Sequence, residues 1–386
     1  MKIGVFVSKR HSIEGGGYTI TEEILDTLIS EIKFQKIHKK FFFLVSNDFD
    51  QTIVNKLKTK KIEFKHIKES NFFKKIIIFI SHFFPKSNLI LNYLNIIKLN
   101  NIFKKKNCDN ILFISSEYRE ILNIPYIATV WDMQHETHPN FAEVSSYGRN
   151  IYRKTVNNSF IQRANKIIVG TEIGKSEITK YTKFKNKFLL LPHPISKFFL
   201  KKKKIKIKNK NKKKYFFYPA NFWEHKNHLN LIKGFKLFLK NNKKFNLILS
   251  GNKNNNYSKV VDLIEKLNIS NKVKIVGHVN LNRLISLYDN CYAVIYASFS
   301  GPENLPPMEA LARKKILLNS IYPGAKEQLE NFPIYFNPNS PQDIARSMLK
   351  SLRTKLSTKN KKIEKYLKSK YSNHYVKNLI IELMKV

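Results

Sequence analysis

Residues 292–320 read "YAVIYASFSGPENLPPMEALARKKILLNS". The first seven residues form a short apolar run rich in aromatic and β-branched side chains, which predicts a buried strand. A polar loop follows, and Pro306 and Pro307 then suit the start of a helix, where a missing N–H costs little. The run "KILLNS" predicts a second strand. A strand, a helix and a strand in this order indicate one step of a parallel sheet.

The same alternation continues on both sides of this stretch. Apolar strand-like runs with helical segments between most of them indicate two doubly wound domains, so the predicted fold class is α/β with two Rossmann-like domains. Ligands of such sheets bind at the carboxyl ends of the strands, and two facing edges would form a cleft. The runs lie at 2–8, 40–46, 110–116, 126–132 and 166–171, and again at 215–221, 245–251, 272–279 and 292–298.

The domain boundary is predicted where the composition changes. Residues 197–214 are mostly Lys and Asn, and we expect no buried face there, which is typical of a solvated linker or of a basic membrane contact. We therefore predict an N-terminal domain at 1–196, a linker at 197–214, a second domain at 215–355 and C-terminal helices at 356–386.

The net charge of +42 comes from 70 Lys and Arg against 28 Asp and Glu. It indicates an anionic partner, such as nucleic acid or an acidic membrane surface, or else the compositional drift of an AT-rich genome, since Lys, Asn, Ile and Phe are abundant together. No nucleic-acid-binding module is recognisable, which argues against the first partner. The two cysteines exclude a disulfide framework and a zinc quartet, and we expect a reducing, intracellular setting.

No signal peptide or membrane span is expected. The N-terminal apolar run is too short for a signal peptide. The longest apolar run, at 76–84, is well below the roughly 18 residues that a span requires. The sequence therefore predicts a soluble or surface-bound protein.

Two loops of the second domain carry groups suited to a phosphorylated ligand. In the first, Gly301, Glu303 and Asn304 precede the predicted helix, and Glu309 is predicted in its first turn. Free main-chain N–H groups at a helix start bind phosphate, and a carboxylate can accept both hydroxyls of a sugar diol. An ordinary capped helix would look similar. In the second loop, "YPANFWEHKNH" (218–228), Lys226 lies next to a helix start and could clamp a phosphate, although loop polarity alone is an alternative.

Two polar stretches of the first domain are further candidates. "TVWDMQHETHPNF" (129–141) groups Asp132, His135 and His138 after a strand, which favours acid/base or hydrogen-bonding roles over a metal site, because no further ligands are near in sequence. One of the histidines could be purely structural. "IEGGGYT" (13–19) contains a run of three glycines that would let the main chain approach a ligand, or form a plain turn. These glycines are Gly15, Gly16 and Gly17.

With these motifs in place, the sequence resembles the GT-B retaining glycosyltransferases of family 4, also called glycosyl transferases group 1. The stretch around Lys226 is similar to the family's donor-phosphate loop, with Asn221 where an arginine is usual. "GPENLPPMEALA" (301–312) resembles the family's paired-glutamate element. Glu309 matches the second glutamate, but Gly301 stands where the first is usual. "VWDMQHETHPNF" (130–141) resembles the family's H-D-L-Q-H loop and retains Asp132 and His135.

The resemblance implies transfer of a hexose, guessed to be of mannose or rhamnose type, from a GDP- or UDP-type sugar to a glycan or lipid-linked acceptor with retention. It implies no metal or further cofactor, roles for Asp132 and His135 at the catalytic centre, and bacterial surface polysaccharide synthesis in the cytoplasm or on the inner membrane face. Donor contacts would come from Lys226, Asn221, Gly301 and Glu303, from Glu309 at the ribose, and from the amides of 304–307, including Asn304 and Leu305. The glycine run would form an acceptor or phosphate loop, and the last C-terminal helix would cross back to the first domain. The departures at Asn221 and Gly301 leave open a related glycan-binding protein with impaired catalysis.

Overall fold

The computed structural model describes residues 1–8, 15–47, 51–67, 76, 80, 83–84, 99–116, 123–145, 150, 153–200, 214–354, 360–371 and 374–385. The chain divides into two compact units. The first, which we call the N-terminal unit, comprises Met1–Pro194 and Ser372–Val386, and the second, the C-terminal unit, comprises Ile195–Tyr371. Each is built on a parallel sheet with helices, which confirms the predicted two-domain α/β fold.

The N-terminal unit contains seven parallel strands in the order β3-β2-β1-β4-β5-β6-β7. The strands are β1 (Ile3–Val7), β2 (Phe41–Ser46), β3 (Glu63–Ile67), β4 (Asn110–Phe113), β5 (Tyr126–Thr129), β6 (Lys166–Val169) and β7 (Lys187–Leu190). The described helices are Gly16–Phe34, Gln51–Thr59, 99–105, Gln134–Thr137, Ala142–Ser145, Asn158–Arg163, Glu172–Thr182 and His374–Met384, with a 3-10 turn at His38–Lys40 and a π turn at Arg153–Asn157.

The central strands of this sheet are buried on both faces, and their sequences are correspondingly apolar. All residues of β1, β2 and β4 are buried, so these strands are continuous apolar runs rather than alternating ones. At Gly4 a side chain would lie 2.5 Å from the ring of Phe103, which shows how closely the 99–105 helix packs on the sheet.

The C-terminal unit has six parallel strands in the order β10-β9-β8-β11-β12-β13. They are β8 (Tyr215–Pro219), β9 (Asn246–Ser250), β10 (Val273–Ile275), β11 (Ala293–Tyr296), β12 (Ile316–Ser320) and β13 (Ile334–Phe336). Its described helices are Lys197–Leu200, His228–Leu239, Tyr257–Lys266, Leu281–Asn290, Leu305–Ala312, Ala325–Leu329, Pro341–Ser351 and Asn360–Tyr371, with a 3-10 turn at Glu224–Lys226.

The strand order of the C-terminal unit reverses between β8 and β11. The chain leaves these two neighbouring strands in opposite directions along the sheet, which opens a crevice at their carboxyl ends. The loops 220–227 and 297–304 follow these strands, so the fold brings the two loops singled out in the sequence to one switch point.

The segment predicted as a linker begins with ordered structure. Residues 197–200 form a short helix, in which the buried Phe199 packs edge-on against Tyr288 with ring centroids 5.3 Å apart. Residues 201–213 lie outside the described residues. Among the residues that the structure does describe, no helix is long and apolar enough to cross a membrane.

Candidate functional site

Lys226 is held at the switch point by the turn that carries it. The turn Glu224–Lys226 is followed by Asn227 in the left-handed conformation, with φ 57°, which asparagine tolerates better than most residues. The buried Asn227 amide donates to the carbonyl oxygens of Ala297 (3.0 Å) and Pro338 (2.8 Å). These two bonds tie the β8 loop to the segments that follow β11 and β13, so the position of Lys226 is fixed by residues far away in sequence.

The ammonium group of Lys226 lies within a short polar chain. Its Nζ donates to Tyr296 Oη at 2.8 Å and to Asn304 Oδ1 at 3.3 Å, and Tyr296 Oη itself donates to Asn304 Oδ1 at 2.6 Å. The ammonium also lies 5.3 Å from the centre of the Tyr296 ring, within range of a cation–π interaction. Lys226 and Asn304, both predicted as donor-binding, are thus in direct contact.

The main chain of Asn304 is clamped by one side chain. Asn304 N donates to Gln328 Oε1 at 3.0 Å, and Gln328 Nε2 donates to the Asn304 carbonyl at 2.8 Å. Tyr322 Oη donates to the same Gln328 oxygen at 3.1 Å. Gln328 is only 1% exposed. This clamp fixes the loop at the point where the Leu305–Ala312 helix begins.

Gly301 has a conformation that explains the missing glutamate. Its φ is 120°, a region that residues with a side chain rarely adopt, and a Cβ there would lie 2.7 Å from Asn304 Nδ2. The Asn304 carboxamide occupies the space that a side chain at position 301 would need. A glutamate at this position would therefore require a different loop.

Glu309 lies further along its helix than the sequence analysis predicted. The helix begins at Leu305 with Asn304 as its N-cap, so Glu309 is the fifth helical residue and not part of the first turn. It is 8% exposed, and its Oε2 accepts a hydrogen bond from Tyr288 Oη at 2.6 Å. Burial raises the pKa of the Glu309 carboxyl to about 7, although the bond from Tyr288 acts in the opposite direction.

Glu309 and Lys226 lie at the same edge of the sheet. Asn304, which contacts the Lys226 ammonium, caps the helix that carries Glu309. Five residues of helix correspond to a rise of roughly 7–8 Å. The charge of Glu309 also contributes to raising the pKa of Tyr296, although burial is the main cause. The carboxyl therefore acts on the Tyr296 phenol, and that phenol is the group that contacts the ammonium.

The predicted set of free amides at 304–307 is wrong in part. Pro306 and Pro307 have no N–H, and Asn304 N already donates to Gln328. Leu305 N is left as the N1 amide, which has no acceptor within its own helix. Glu303, on the same loop, lies half-buried within electrostatic range of Tyr322 and Tyr371.

Asn221 has a local structural contact at the end of β8. Its Oδ1 accepts from Asn252 N at 2.8 Å and so holds the loop that follows β9. The approach is close, because a side chain at Gly251 would lie 2.2 Å from the Ala220 carbonyl oxygen. A role for Asn221 in donor binding stays a prediction.

In the N-terminal unit, Asp132 and His135 follow β5. Asp132 Oδ1 accepts from Gln134 N at 3.0 Å, which shapes the start of the short Gln134–Thr137 helix. His135 is 2% exposed, and its Nε2 lies 3.2 Å from Asn158 Oδ1. Burial lowers the pKa of His135, although the bond to Asn158 opposes that shift.

The partners of Asn158 identify the tautomer of His135. The Asn158 amide nitrogen donates to the Glu136 carboxylate at 2.9 Å, so its oxygen faces the imidazole. His135 Nε2 must then carry a proton and donate. Burial lowers the pKa of His135 and so favours the neutral form, in which Nδ1 keeps a lone pair.

A carboxyl that the sequence analysis missed lies near Asp132. Glu177, on the Glu172–Thr182 helix, is half-buried, and burial raises its pKa to about 7, with a further contribution from the charge of Asp132. The two residues follow adjacent strands, β5 and β6. Only that adjacency could have indicated the pair, since 45 positions separate them in sequence.

The predicted loop of three glycines is shorter than expected. Gly15, with φ 81°, caps the Gly16–Phe34 helix, so Gly16 and Gly17 belong to the first helical turn. Thr21 Oγ1 donates to the Gly17 carbonyl at 2.8 Å, which reinforces that turn. Residues 13 and 14 of the motif lie outside the described residues, and its binding role stays a prediction.

Part of the chain is similar to known proteins. Residues 200–370 match the family model Glycosyl transferases group 1. The chain is 25% identical over 219 residues to the O-antigen chain mannosyltransferase RfbU of Salmonella typhimurium, a match that covers 56% of this chain and 59% of that protein. The chain thus spans about three fifths of the length of this curated relative. These matches show that part of the chain is similar to glycosyltransferases.

Solved structures share the fold along the whole chain. A glycosyltransferase from Rickettsia africae has a TM-score of 0.70 at 17% identity, with 100% of this chain and 98% of that chain covered. Anabaena Alr3699/HepE in complex with UDP has a TM-score of 0.67 at 14% identity, with both chains covered completely. At these identities the likeness establishes the fold alone, and the two-domain α/β architecture is the one found in these proteins.

Proposed function

We propose that this protein is a metal-independent, retaining glycosyltransferase that moves a hexose from a nucleotide-diphosphate sugar to an acceptor hydroxyl. The observation that carries the proposal is the contact of the Lys226 ammonium with Tyr296 and Asn304 at the start of the Leu305–Ala312 helix, with Glu309 in the next turn. The match of residues 200–370 to Glycosyl transferases group 1 supports it, because that segment contains this whole group.

The site offers what a departing diphosphate needs. Negative charge develops on the leaving phosphate as the glycosidic bond breaks, and an ammonium already held in place stabilises that charge without reorganisation. The N1 amide of Leu305 and the positive end of the helix dipole act in the same direction. The Glu309 carboxylate, whose one oxygen is oriented by Tyr288, would accept hydrogen bonds from the ribose hydroxyls.

The residues of the N-terminal unit would serve the sugar or the acceptor. Asp132 and the neutral His135 would orient hydroxyl groups, and Nδ1 of His135 is the ring nitrogen that can accept a hydrogen bond. The leaving phosphate would take the acceptor proton. In this mechanism no covalent enzyme intermediate forms, and the metal-free charge stabilisation comes from Lys226 and the helix start.

The biological setting of the proposal is bacterial surface polysaccharide synthesis, of the lipopolysaccharide O-antigen or capsule type. The name of the Salmonella relative supports a mannose-type donor sugar and a glycan or lipid-linked acceptor. UDP in the Anabaena structure supports a nucleotide diphosphate. The enzyme would act in the cytoplasm, where a net charge of +42 would favour peripheral contact with an anionic inner membrane face.

A two-stage assay tests the proposal. Thermal unfolding is first screened with GDP-, UDP- and dTDP-sugars, and a ligand at a hundredfold its Kd should stabilise the protein by about 2.7 kcal/mol. Sugar transfer from the stabilising donor is then measured with and without EDTA, and we expect equal rates. Binding without turnover on any glycan acceptor would favour a glycan-binding protein with impaired catalysis, and the absence of any stabilising donor would refute the proposal.

A further inference from the structure

The short helix Ala325–Leu329 lies against the loop that carries Asn304. Its residue Gln328 holds both the main-chain N–H and the carbonyl of Asn304. Its N-cap, Gly324, has φ 83°, and a side chain at that position would lie 2.2 Å from the Pro302 carbonyl oxygen. The loop therefore rests on this helix at two points, and a displacement of the helix would reach Asn304.

A second helix holds the short one in place. A helix of five residues is not stable on its own, so its position depends on tertiary contacts. From the Asn360–Tyr371 helix, Tyr366 Oη donates to the Gln328 carbonyl at 2.5 Å. Lys370 Nζ, on the same helix, donates to the neighbouring Glu327 carbonyl at 3.0 Å. Since Tyr366 and Lys370 are four positions apart, one face of their helix holds two consecutive carbonyls of the short helix.

The Tyr366 hydroxyl is the buried member of this pair of donors. The residue is 8% exposed, and the centre of its ring lies 5.3 Å from that of Phe332. Burial raises the pKa of the Tyr366 phenol, so it keeps its proton and remains a donor at neutral pH. The Tyr371 hydroxyl is also hydrogen-bonded to Tyr366. Removing the Tyr366 hydroxyl would deprive the Gln328 carbonyl of this donor, which costs free energy inside a protein.

These contacts connect Tyr366 with the candidate site in three steps. The phenol holds the carbonyl of Gln328, and the side chain of Gln328 holds the main chain of Asn304. Asn304 Oδ1 then accepts from the Lys226 ammonium. We propose that Tyr366 is a positioning residue for nucleotide binding, which acts through the Gln328 clamp on Asn304 and does not itself touch the ligand. This inference rests on the proposed function.

The consequence is that nucleotide affinity depends on a hydrogen bond outside the site. Without the Tyr366 hydroxyl the short helix would hold Gln328 less firmly, and Lys226 would occupy the binding geometry in a smaller fraction of molecules. The apparent affinity falls with that fraction. One neutral hydrogen bond changes an equilibrium by about fivefold, so we expect Tyr366→Phe to weaken binding of the nucleotide diphosphate by about that factor.

Tyr215→Phe is the matched control. Tyr215 is also 8% exposed, and its Oη also donates to a main-chain carbonyl, that of Leu287, at 2.9 Å. It begins β8, at the opposite end of that strand from the loop 220–227. We expect both variants to lose similar stability in urea denaturation. Only Tyr366→Phe should lose affinity for UDP or GDP in titration calorimetry.

A double-mutant cycle tests the route from Tyr366 to the site. Gln328→Ala removes the clamp on Asn304 but retains the main-chain carbonyl that Tyr366 holds. Adding Tyr366→Phe to this variant should lower its stability again and leave its nucleotide affinity unchanged. Additive losses of affinity would mean that Tyr366 acts by another route, and would overturn the inference.

The remaining outcomes separate this inference from the proposed function. Should Tyr366→Phe fail to fold, Lys370→Met is compared with Lys368→Met, a charge control at an exposed position of the same helix. We expect about a twofold loss of affinity in Lys370→Met alone. Wild-type affinity in a folded Tyr366→Phe variant, or in Lys370→Met where that variant is used, would overturn this inference while the proposed function stands. A wild type that bound neither UDP nor GDP would overturn both.

Discussion

The two units hold their candidate residues in different ways. In the C-terminal unit, Lys226 contacts Tyr296 and Asn304, which lie 70 and 78 positions further along the chain. In the N-terminal unit, Asp132 bonds to a main-chain N–H two residues away. Long-range bonds keep a charged group in one place before a ligand arrives, which is the arrangement that electrostatic stabilisation requires. We infer that the C-terminal site is preorganised for charge, and that Asp132 depends more on local structure, whereas its neighbour His135 is also held by Asn158.

The largest expected effect on stability concerns a buried ion pair at the C-terminal end of the Leu305–Ala312 helix. Arg313, at the end of the Glu309 helix, donates to both oxygens of Asp289, at 2.8 and 2.7 Å, and the two side chains are 3% and 1% exposed. Arg313→Ala would leave Asp289 buried without its cation, and we expect a loss of about 3–5 kcal/mol in unfolding free energy. Urea denaturation measures it.

The control for this prediction is Arg346→Ala. Arg346 also pairs with an aspartate, Asp343, at 2.9 Å, but its side chain is 75% exposed. We expect a change below about 1 kcal/mol there. Equal costs for the two arginine variants would contradict the view that burial makes the first pair important.

The next effect is the pH dependence caused by Glu309. Its pKa is about 7 in the folded protein and near the model-compound value of 4.5 when unfolded. Between these values the folded state holds a proton that the unfolded state has released, so stability is highest below pH 4.5 and falls as pH rises to about 7. The linkage amounts to about 3 kcal/mol. Urea denaturation across this range should show the decline in the wild type and a smaller one in Glu309→Gln.

Nucleotide affinity should change with pH in the opposite direction to stability, because binding requires the ionised form of Glu309. If the ionised carboxylate accepts the ribose hydroxyls, nucleotide affinity should increase as pH rises through about 7 and then level off. In Glu309→Gln that increase should be absent. A Gln variant that retained the wild-type pH profile would remove Glu309 from the nucleotide site.

The smallest expected effect is in the N-terminal unit. Glu136 lies 3.4 Å from Lys154 and accepts from Asn158, which orients His135. Lys154 is 46% exposed, so solvent screens this pair. We expect Glu136→Gln to cost less than about 1 kcal/mol in urea denaturation. A loss comparable to that of Arg313→Ala would mean that the Glu136 contacts stabilise the fold as much as the buried Arg313–Asp289 pair does.

The fold could be predicted because parallel strands that are buried on both faces have nearly continuous apolar sequences. Strands β1, β2 and β4 are buried along their whole length, and each stands out in the sequence. The position of Lys226 in the loop before a helix was also visible, and Glu309 was correctly expected on the next helix, although not in its first turn. That the two loops lie at the same edge of the sheet follows from the reversal of strand order between β8 and β11. The alternation of strands and helices in the sequence does not specify that order.

The partners of these residues could not be predicted. Tyr296 ends a strand, and Tyr288 is fully buried in a helix, so both look like core residues in the sequence. Gln328 lies 24 positions from Asn304, and its clamp depends on the packing of β12 and the short helix after it. The helix start was placed too late because the two prolines suited a first turn, whereas Asn304 is the residue that caps it.

Binding of a nucleotide diphosphate to Lys226 is the central claim, and calorimetry with UDP and GDP tests it most directly. We predict that the wild type binds at least one of them and that Lys226→Ala weakens this binding by about tenfold or more. Lys233→Ala, which removes the same charge from an exposed position on the neighbouring helix, should leave the affinity unchanged. Wild-type affinity in the folded Lys226→Ala variant would contradict the account.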